Sequence, residues 1–167
     1  YDRKGTFGNS TLSVDVSNFS GTKESGSAIP TGHQIIFTAT PASGYVIEGW
    51  YSDEACTVSL DNGQNPTYTI SSLDADKSVY VKFEQLKTIT IKFAHEAKDG
   101  WTIQGVRRYP ESGGQRISAN GKWVTIEFTN VYAVSNIDLA YSGGDWDYLN
   151  TATKITGDCC YNRNGSL

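Results

Sequence analysis

The sequence predicts an all-β fold, and three observations carry this prediction. Aromatic residues make up 12% of the 167 residues, glycine occurs 17 times and only 19% of residues are charged, a composition typical of a strand-rich chain with many turns. Apolar and polar residues alternate with period two in several segments, of which residues 12–16 are the first. Clusters of Gly, Pro, Ser, Asn and Asp separate these segments. Helix is therefore expected to be scarce.

Charge and hydropathy exclude several classes of partner. The net charge is −4 and no basic run occurs, which argues against nucleic acid or an anionic membrane surface. No apolar run approaches the ~20 residues needed to cross a bilayer, so membrane insertion is not expected. The chain opens on Tyr1 without a signal peptide. We expect a fragment of a larger protein, present as a monomer.

No constellation of residues predicts catalysis, a metal or a cofactor. The three cysteines do not form a disulfide framework, and Cys159 and Cys160 are expected to be free thiols. His95 has no second residue at ligand spacing, so a metal site is not supported. Asp145 and Asp147 are two apart, a pattern more typical of solvent-facing or turn residues than of a general acid and base. We expect no enzyme here.

The N-terminal half contains a succession of strand patterns. Residues 1–8 show no periodicity and are expected to be a disordered lead or the end of a preceding domain. Strands are predicted at residues 12–16, 34–40, 44–51, 68–71 and 78–84. A hairpin is the expected connection across Pro41. Residues 53–65 are predicted to be a polar excursion.

Part of this half resembles a known repeat. The segment IPTGHQIIFTATPASGYVIEGWYSD and the closing VYVKFE resemble the divergent internalin B-type repeat, also called the Listeria–Bacteroides repeat, of surface and secreted bacterial proteins. The resemblance covers residues 12–84. It implies a compact β-grasp-like module that serves as a spacer or adhesive unit, with Tyr45 and Trp50 in the core. Read from the residues alone, Trp50 lies between two strand-forming stretches and is expected in the core rather than at a ligand site.

A domain boundary is predicted near residue 86. The strand pattern VYVKFE is complete when TITIKF begins a new one, and only Gln85, Leu86 and Lys87 join them. We therefore expect one domain at residues 1–86 and a second at residues 87–167. Strands of the second domain are predicted at residues 88–93, 101–109, 122–128, 136–141 and 152–161, with a turn at residues 111–115.

An aromatic and acidic segment follows the predicted strand at residues 136–141. Gly143 and Gly144 break strand pairing, so residues 145–148, with sequence DWDY, are expected in a loop. Trp and Tyr between carboxylates suit a sugar, whose C–H face stacks on a ring while its hydroxyls bond to acids. A Trp after Gly-Gly is equally typical of a plug at the end of a β-sandwich. The stretch alone leaves both interpretations open.

The second half resembles the starch-binding modules of carbohydrate-binding families 25 and 26. The resemblance covers residues 88–167 and rests on TITIKF, the Gly100-Trp101 pair, GKWVTIEF, NIDLAYSGGDWDYLNT and ITGDCCYNRNG. It implies an immunoglobulin-like β-sandwich that binds α-glucan through stacked aromatic rings. In the strand after the Gly-Trp pair only Tyr109 is aromatic. The site expected from the resemblance and the loop comprises Trp146, Tyr148, Tyr109, Arg107, Asp145 and Asp147, with Trp101 as a weaker candidate.

The sequence supports two alternative functions. In the first, the chain is a non-catalytic fragment of a secreted or surface bacterial protein that binds a polysaccharide, a starch-like α-glucan. In the second, both modules are structural spacers or adhesins, and the aromatic residues of the second half belong to its core.

Overall fold

The computed structural model describes the backbone of residues 1–61, 63–94, 103–109, 114–120, 123–141, 146–149 and 155–161, and the side chains of residues 1–61, 63–92, 125–134 and 155–160. All regular elements of this part of the chain are strands. The predicted all-β class is therefore confirmed. Within the same ranges no helix has the length and apolar character that crossing a membrane requires.

The chain divides into two compact units, Tyr1–Gln85 and Leu86–Leu167. In the N-terminal unit the strands are β1 (Asp2–Gly5), β2 (Thr11–Val16), β3 (Ile35–Thr40), β4 (Tyr45–Tyr51), β5 (Ser59–Asp61), β6 (Thr67–Ile70) and β7 (Tyr80–Gln85). They form a four-stranded sheet in the order β1-β7-β4-β5 and a three-stranded sheet in the order β2-β3-β6. All pairs are antiparallel except β1 with β7.

Consecutive strands β3 and β4 do not form a hairpin, so that prediction was wrong. They belong to different sheets, and the chain changes sheet after Thr40 at Pro41. Proline lacks the N–H that would continue a ladder, which is why a strand ends there. The change of sheet lets Phe37 from β3 and Trp50 from β4 meet in one core. The polar excursion at residues 53–65 also contains a strand, β5.

The N-terminus is ordered, contrary to the expectation for residues 1–8. Asp2–Gly5 form strand β1, parallel to β7. Contacts distant in sequence hold it: the Tyr1 ring lies 5.6 Å from the Phe37 ring, and Arg3 Nη1 donates to Ser10 O at 2.6 Å. The sequence of this strand, DRKG, has no apolar alternation. Residues elsewhere in the chain stabilise it instead. Periodicity therefore could not reveal it.

The core of the N-terminal unit centres on Trp50. Its side chain is fully buried, and its ring stacks on Tyr68 at 5.9 Å and lies 6.4 Å from Phe37. The predicted burial of Trp50 is confirmed. Tyr45 differs from the expectation because it is half-buried and outside this core. Its ring lies against Gly8, where a Cβ would come within 2.9 Å of it, so it packs at the margin on the N-terminal loop.

The C-terminal unit also contains two sheets. Its strands are β8 (Lys87–Ala94), β9 (Ile103–Tyr109), β10 (Gly114–Asn120), β11 (Trp123–Val131), β12 (Ser135–Tyr141), β13 (Trp146–Leu149) and β14 (Cys159–Tyr161). Their orders are β10-β11-β8-β14 and β13-β12-β9. Among the described strands of this unit, only β14 pairs in parallel, with β8. The arrangement agrees with a sandwich-like fold.

Strands β8 and β11 supply the apolar face of the four-stranded sheet. Ile91 pairs with Ile126 and Ile89 with Phe128, and all four side chains are fully buried. The alternating residues of β11, Thr125 and Glu127, are only half-buried, as the alternation in GKWVTIEF predicts. The pairing shifts after Phe128, and Asn130 has φ 56°, the left-handed region that Asn tolerates better than most residues. This irregularity ends the regular ladder.

Candidate functional site

The predicted binding residues lie mainly on the three-stranded sheet β13-β12-β9. One register row joins Tyr148 of β13, Asp138 of β12 and Arg107 of β9. Residues directly opposite on antiparallel strands share a face and have Cβ atoms about 5 Å apart. The row therefore spans all three strands on one face. It brings together a phenol, a carboxylate and a guanidinium position.

The adjacent row on the same face contains the tryptophan. Trp146 pairs with Ala140, which pairs with Gly105. Positions two apart on a strand share a face and are about 7 Å apart, so Trp146 and Tyr148 occupy neighbouring places along β13. In the row of Trp146 the positions on the other two strands are therefore occupied by the two smallest residue types, alanine and glycine. Two aromatic positions thus lie at the edge of this face.

Trp146, Asp147 and Tyr148 lie in a strand, not in the predicted loop. Trp146–Leu149 pair with residues 137–140 of β12 over four positions. The segment is short and contains Asp, which is uncommon in strands, so propensity favoured a loop. Pairing with the preceding long strand overrides that local preference. The prediction that these three residues sit in a loop was wrong.

Residues at every second position along a strand share one face of the sheet and form one alternation set. Tyr109 belongs to the same alternation set as Arg107. It lies two positions further along β9 and pairs with Ser135. The register shifts between Ser135 and Asp138, where β12 has one residue more than β9. Such an irregularity increases local twist. The four positions Arg107, Tyr109, Trp146 and Tyr148 therefore fall in one set on the two outer strands of the sheet.

The remaining predicted residues are placed differently. Asp147 pairs with Leu139, which pairs with Val106, so it belongs to the opposite alternation set. That set also includes the pair Ile137 and Leu149, and on β9 it includes Gln104 and Arg108 on either side of Val106. Asp145 and Trp101 lie outside the described residues, as does His95.

Asp138 is the residue that the sequence analysis missed. It occupies the middle of the row between Tyr148 and Arg107. The signal was present in NIDLAY, where Ile137 and Leu139 alternate with Asp138. A carboxylate opposite a guanidinium position on a neighbouring strand is a favourable pairing. The register therefore places an acidic position next to a basic position in this row.

The described residues outside this sheet do not form a second chemical centre. Among residues whose side chains are described, no three His, Cys, Asp or Glu are grouped to hold a metal ion. The three cysteines are free thiols. Burial raises the pKa of the Cys56 and Cys159 thiols, which favours the neutral form over the reactive thiolate.

Comparison with known proteins gives a family match for most of the N-terminal unit. No curated protein and no solved structure matches the chain. The family model of the divergent InlB B-repeat domain matches residues 12–87. The match runs from the second residue of β2 to the first residue of β8, so β1 lies outside it. Residues 12–87 are therefore similar to the divergent InlB B-repeat domain, which supports the resemblance found in the strand and turn residues of this part of the chain.

Proposed function

We propose that this chain is a non-catalytic part of a secreted or surface bacterial protein, in which the C-terminal unit binds a polysaccharide, a starch-like α-glucan. The observation that carries the proposal is the register of β13-β12-β9. It groups Trp146, Tyr148, Arg107 and Tyr109 in one alternation set. The family match supports the cellular location, since repeats of this type occur in surface and secreted proteins.

The residue types in this set suit a sugar chain. An aromatic ring stacks on the apolar C–H face of a pyranose, and Trp and Tyr offer the largest such planes. The carboxylate of Asp138 accepts hydrogen bonds from sugar hydroxyls, whereas the Arg107 guanidinium donates them. A sheet face with aromatics on its outer strands accommodates an extended polymer. The choice of α-glucan rests on the resemblance to starch-binding modules.

The arrangement of carboxylates favours binding over hydrolysis. Glycoside hydrolases use two carboxyl groups on opposite sides of one glycosidic bond, about 5–9.5 Å apart. On this sheet Asp138 and Asp147 occupy opposite alternation sets, so they do not share a face. Neither acid therefore has a carboxylate partner in its set among the described strands of the sheet.

The test is retention of the full chain in affinity gels containing starch, with pullulan, dextran and xylan for comparison. Trp146→Ala or Tyr109→Ala is expected to weaken retention on starch at least tenfold, about 1.4 kcal/mol, because each removes a stacking plane. Asp147→Asn is the matched control, since it lies on the same strand in the other set. Circular dichroism of each variant verifies that the unit remains folded.

The family match also favours a second function, that of a spacer or adhesin. A repeat unit needs no glycan site to separate or present other domains. Starch retention that both aromatic substitutions leave unchanged, or no retention of the unsubstituted chain on any of the four glycans, would establish this alternative over the first.

A further inference from the structure

Strand β5 leaves an apolar edge on the N-terminal unit. Val58 is 57% exposed and Leu60 37%, and they are the large apolar side chains exposed among the residues whose side chains are described. Leu60 belongs to β5, and Val58 lies two residues before it, in the bend that leads into the strand. β5 is the last strand of the sheet β1-β7-β4-β5. Within the described ranges its outer N–H and C=O groups therefore face no further strand.

The other strand edges of this unit are polar. On β2 the exposed positions are Thr11, Ser13 and Asp15, and Asp15 pairs with Lys23 at 2.7 Å. The exposed positions of β6 are Thr67 and Thr69. Charged and polar residues on an edge oppose pairing with other chains. β5 carries Ser59 and Asp61 beside the apolar Leu60, so its edge is only partly protected in this way, and at three residues it is too short to drive extensive aggregation.

The segment around β5 is strongly acidic. Residues 49–76 contain five Asp and Glu and no Lys, Arg or His. Two of these acids have a cation, because Glu54 pairs with Lys4 and Asp74 with Lys77. Asp53 and Asp61 form no ion pair with any described residue. Asp53 precedes the exposed apolar residues Val58 and Leu60 in sequence, and Asp61 follows them directly.

Both carboxylates are fixed in place as anions. Val58 N donates to Asp53 Oδ1 at 2.6 Å, and Asn65 Nδ2 donates to Asp61 Oδ2 at 2.7 Å. These hydrogen bonds are the largest causes that hold the pKa of each carboxyl below its usual value. The edge therefore presents two apolar side chains, Val58 and Leu60, with a carboxylate on either side of them in sequence. Neither carboxylate forms an ion pair with a described residue.

We propose that the β5 edge binds an extended segment of a partner protein that has apolar residues at alternate positions and Lys or Arg at both ends. The added strand satisfies the outer backbone groups of β5, and its apolar residues cover Val58 and Leu60. Its cations lie against Asp53 and Asp61. Three residues of β5 span about 10 Å, which limits pairing to a segment of similar length. This surface belongs to the N-terminal unit, so it is independent of the proposed glycan site.

The experiment is an NMR titration of the ¹⁵N-labelled full chain with the peptide Lys-Val-Thr-Val-Thr-Val-Lys. The expected result is a set of amide shifts confined to residues 50–61 of β4, β5 and the loop between them. The peptide Glu-Val-Thr-Val-Thr-Val-Glu, identical except for its ends, should bind about tenfold more weakly. Added salt should weaken the Lys peptide because exposed charges are screened.

Two variants test whether the peptide binds at the β5 edge and not at another edge of the same unit. Leu60→Lys places a charge on the apolar edge and should weaken the Lys peptide about tenfold. Thr69→Lys on the polar β6 edge is the matched control and should leave binding unchanged. Far-UV circular dichroism checks that each variant is folded.

Three outcomes would overturn the proposal. The first is no amide shift at millimolar Lys peptide, and the second is unchanged binding in Leu60→Lys. The third is a shift of the β5 amides with protein concentration alone, which would assign the edge to a second copy of this chain.

Discussion

Trp50 is held by burial, by ring contacts and by a hydrogen bond. Its ring contacts those of Phe37 and Tyr68, both from the opposite sheet, and its Nε1 donates to Asn65 O at 2.9 Å. Aromatic pairs contribute about 0.5–1.5 kcal/mol beyond the area they bury. The hydrogen bond also anchors the loop after β5. One side chain therefore joins both sheets and a loop of the N-terminal unit.

Replacing Trp50 with Ala should destabilise the N-terminal unit by about 3–5 kcal/mol, because a fully buried indole leaves a large cavity. Urea unfolding followed by circular dichroism measures the loss. Trp50→Phe retains a ring but not the donor to Asn65 O, so it should cost less. The control is Val58→Ala, an exposed position where little change is expected. Unchanged thermal stability of Trp50→Ala would contradict the structural role of this residue.

Asp53 should make the stability of the loop before β5 depend on pH in the acid range. The N–H of Val58, helped by the Thr57 side chain and N–H, holds its pKa below the ordinary 3.8. A carboxyl with a lowered folded pKa stabilises the folded state fully above its unfolded pKa. That contribution is lost as the pH falls through the folded pKa. Neutral and alkaline conditions should leave it intact.

Carbon-detected NMR titration of the Asp53 carboxyl should therefore give a midpoint below 3.8. Thr57→Val removes the hydroxyl donor and should move the midpoint upward. A midpoint at or above the ordinary value in the unsubstituted chain would show that the hydrogen bonds do not persist in solution.

At the scale of elements, β1 completes the four-stranded sheet from outside the family match. It pairs with β7 in parallel over four positions. Tyr1 and Phe7, on either side of it, pack against the core cluster. Tyr1 also donates from its hydroxyl to Lys23 O at 2.7 Å. The folded unit thus includes about one strand more than the matched repeat.

Deletion of residues 1–9 should destabilise the N-terminal unit by about 3 kcal/mol, since two largely apolar rings lose their burial and β7 loses a neighbour. Equilibrium unfolding in urea, compared with the full chain, gives the difference. Lys4→Ala is the control: its ion-pair partners Asp2 and Glu54 are exposed, so little change is expected. Equal stability of the deleted and full chains would mean that β1 contributes nothing.

At the scale of the whole molecule, the two units differ in charge as well as in sheet order. Residues 1–85 contain five Lys and Arg against ten Asp and Glu, a net charge of −5. Residues 86–167 contain nine against eight, a net charge of +1. The buried side chains of Tyr1–Gln85 form a cluster drawn from β2, β3, β4, β7 and adjoining loops of that unit. The N-terminal unit therefore has a core of its own.

Separate fragments of residues 1–85 and 86–167 should each fold and unfold cooperatively, because each unit has its own sheets. Far-UV circular dichroism with urea unfolding tests this for each fragment. The sum of the two fragment spectra should match the spectrum of the full chain. A fragment without a cooperative transition would show that its unit depends on the other.

Local pattern predicted the strands whose partners impose strict alternation. β2, β3, β8 and β11 each have one buried face, so the apolar period appears directly in their residues. Trp50 could be placed in the core because it lies between two strand-forming stretches, and the resemblance to the repeat implies the same. Composition predicted the all-β class, because glycine-rich turns and β-branched runs leave little alternative.

Only the tertiary structure decided which strands pair, because pairing depends on residues far apart in sequence. It separated β3 from β4 and recruited β1 to β7 without any local pattern. It turned the expected loop at Trp146 into β13 and put Asp138 beside Arg107. The sequence by itself determined the fold class, the resemblance to the InlB-type repeat and the aromatic residues of the candidate site. Their grouping in one set required the register, which no single segment encodes.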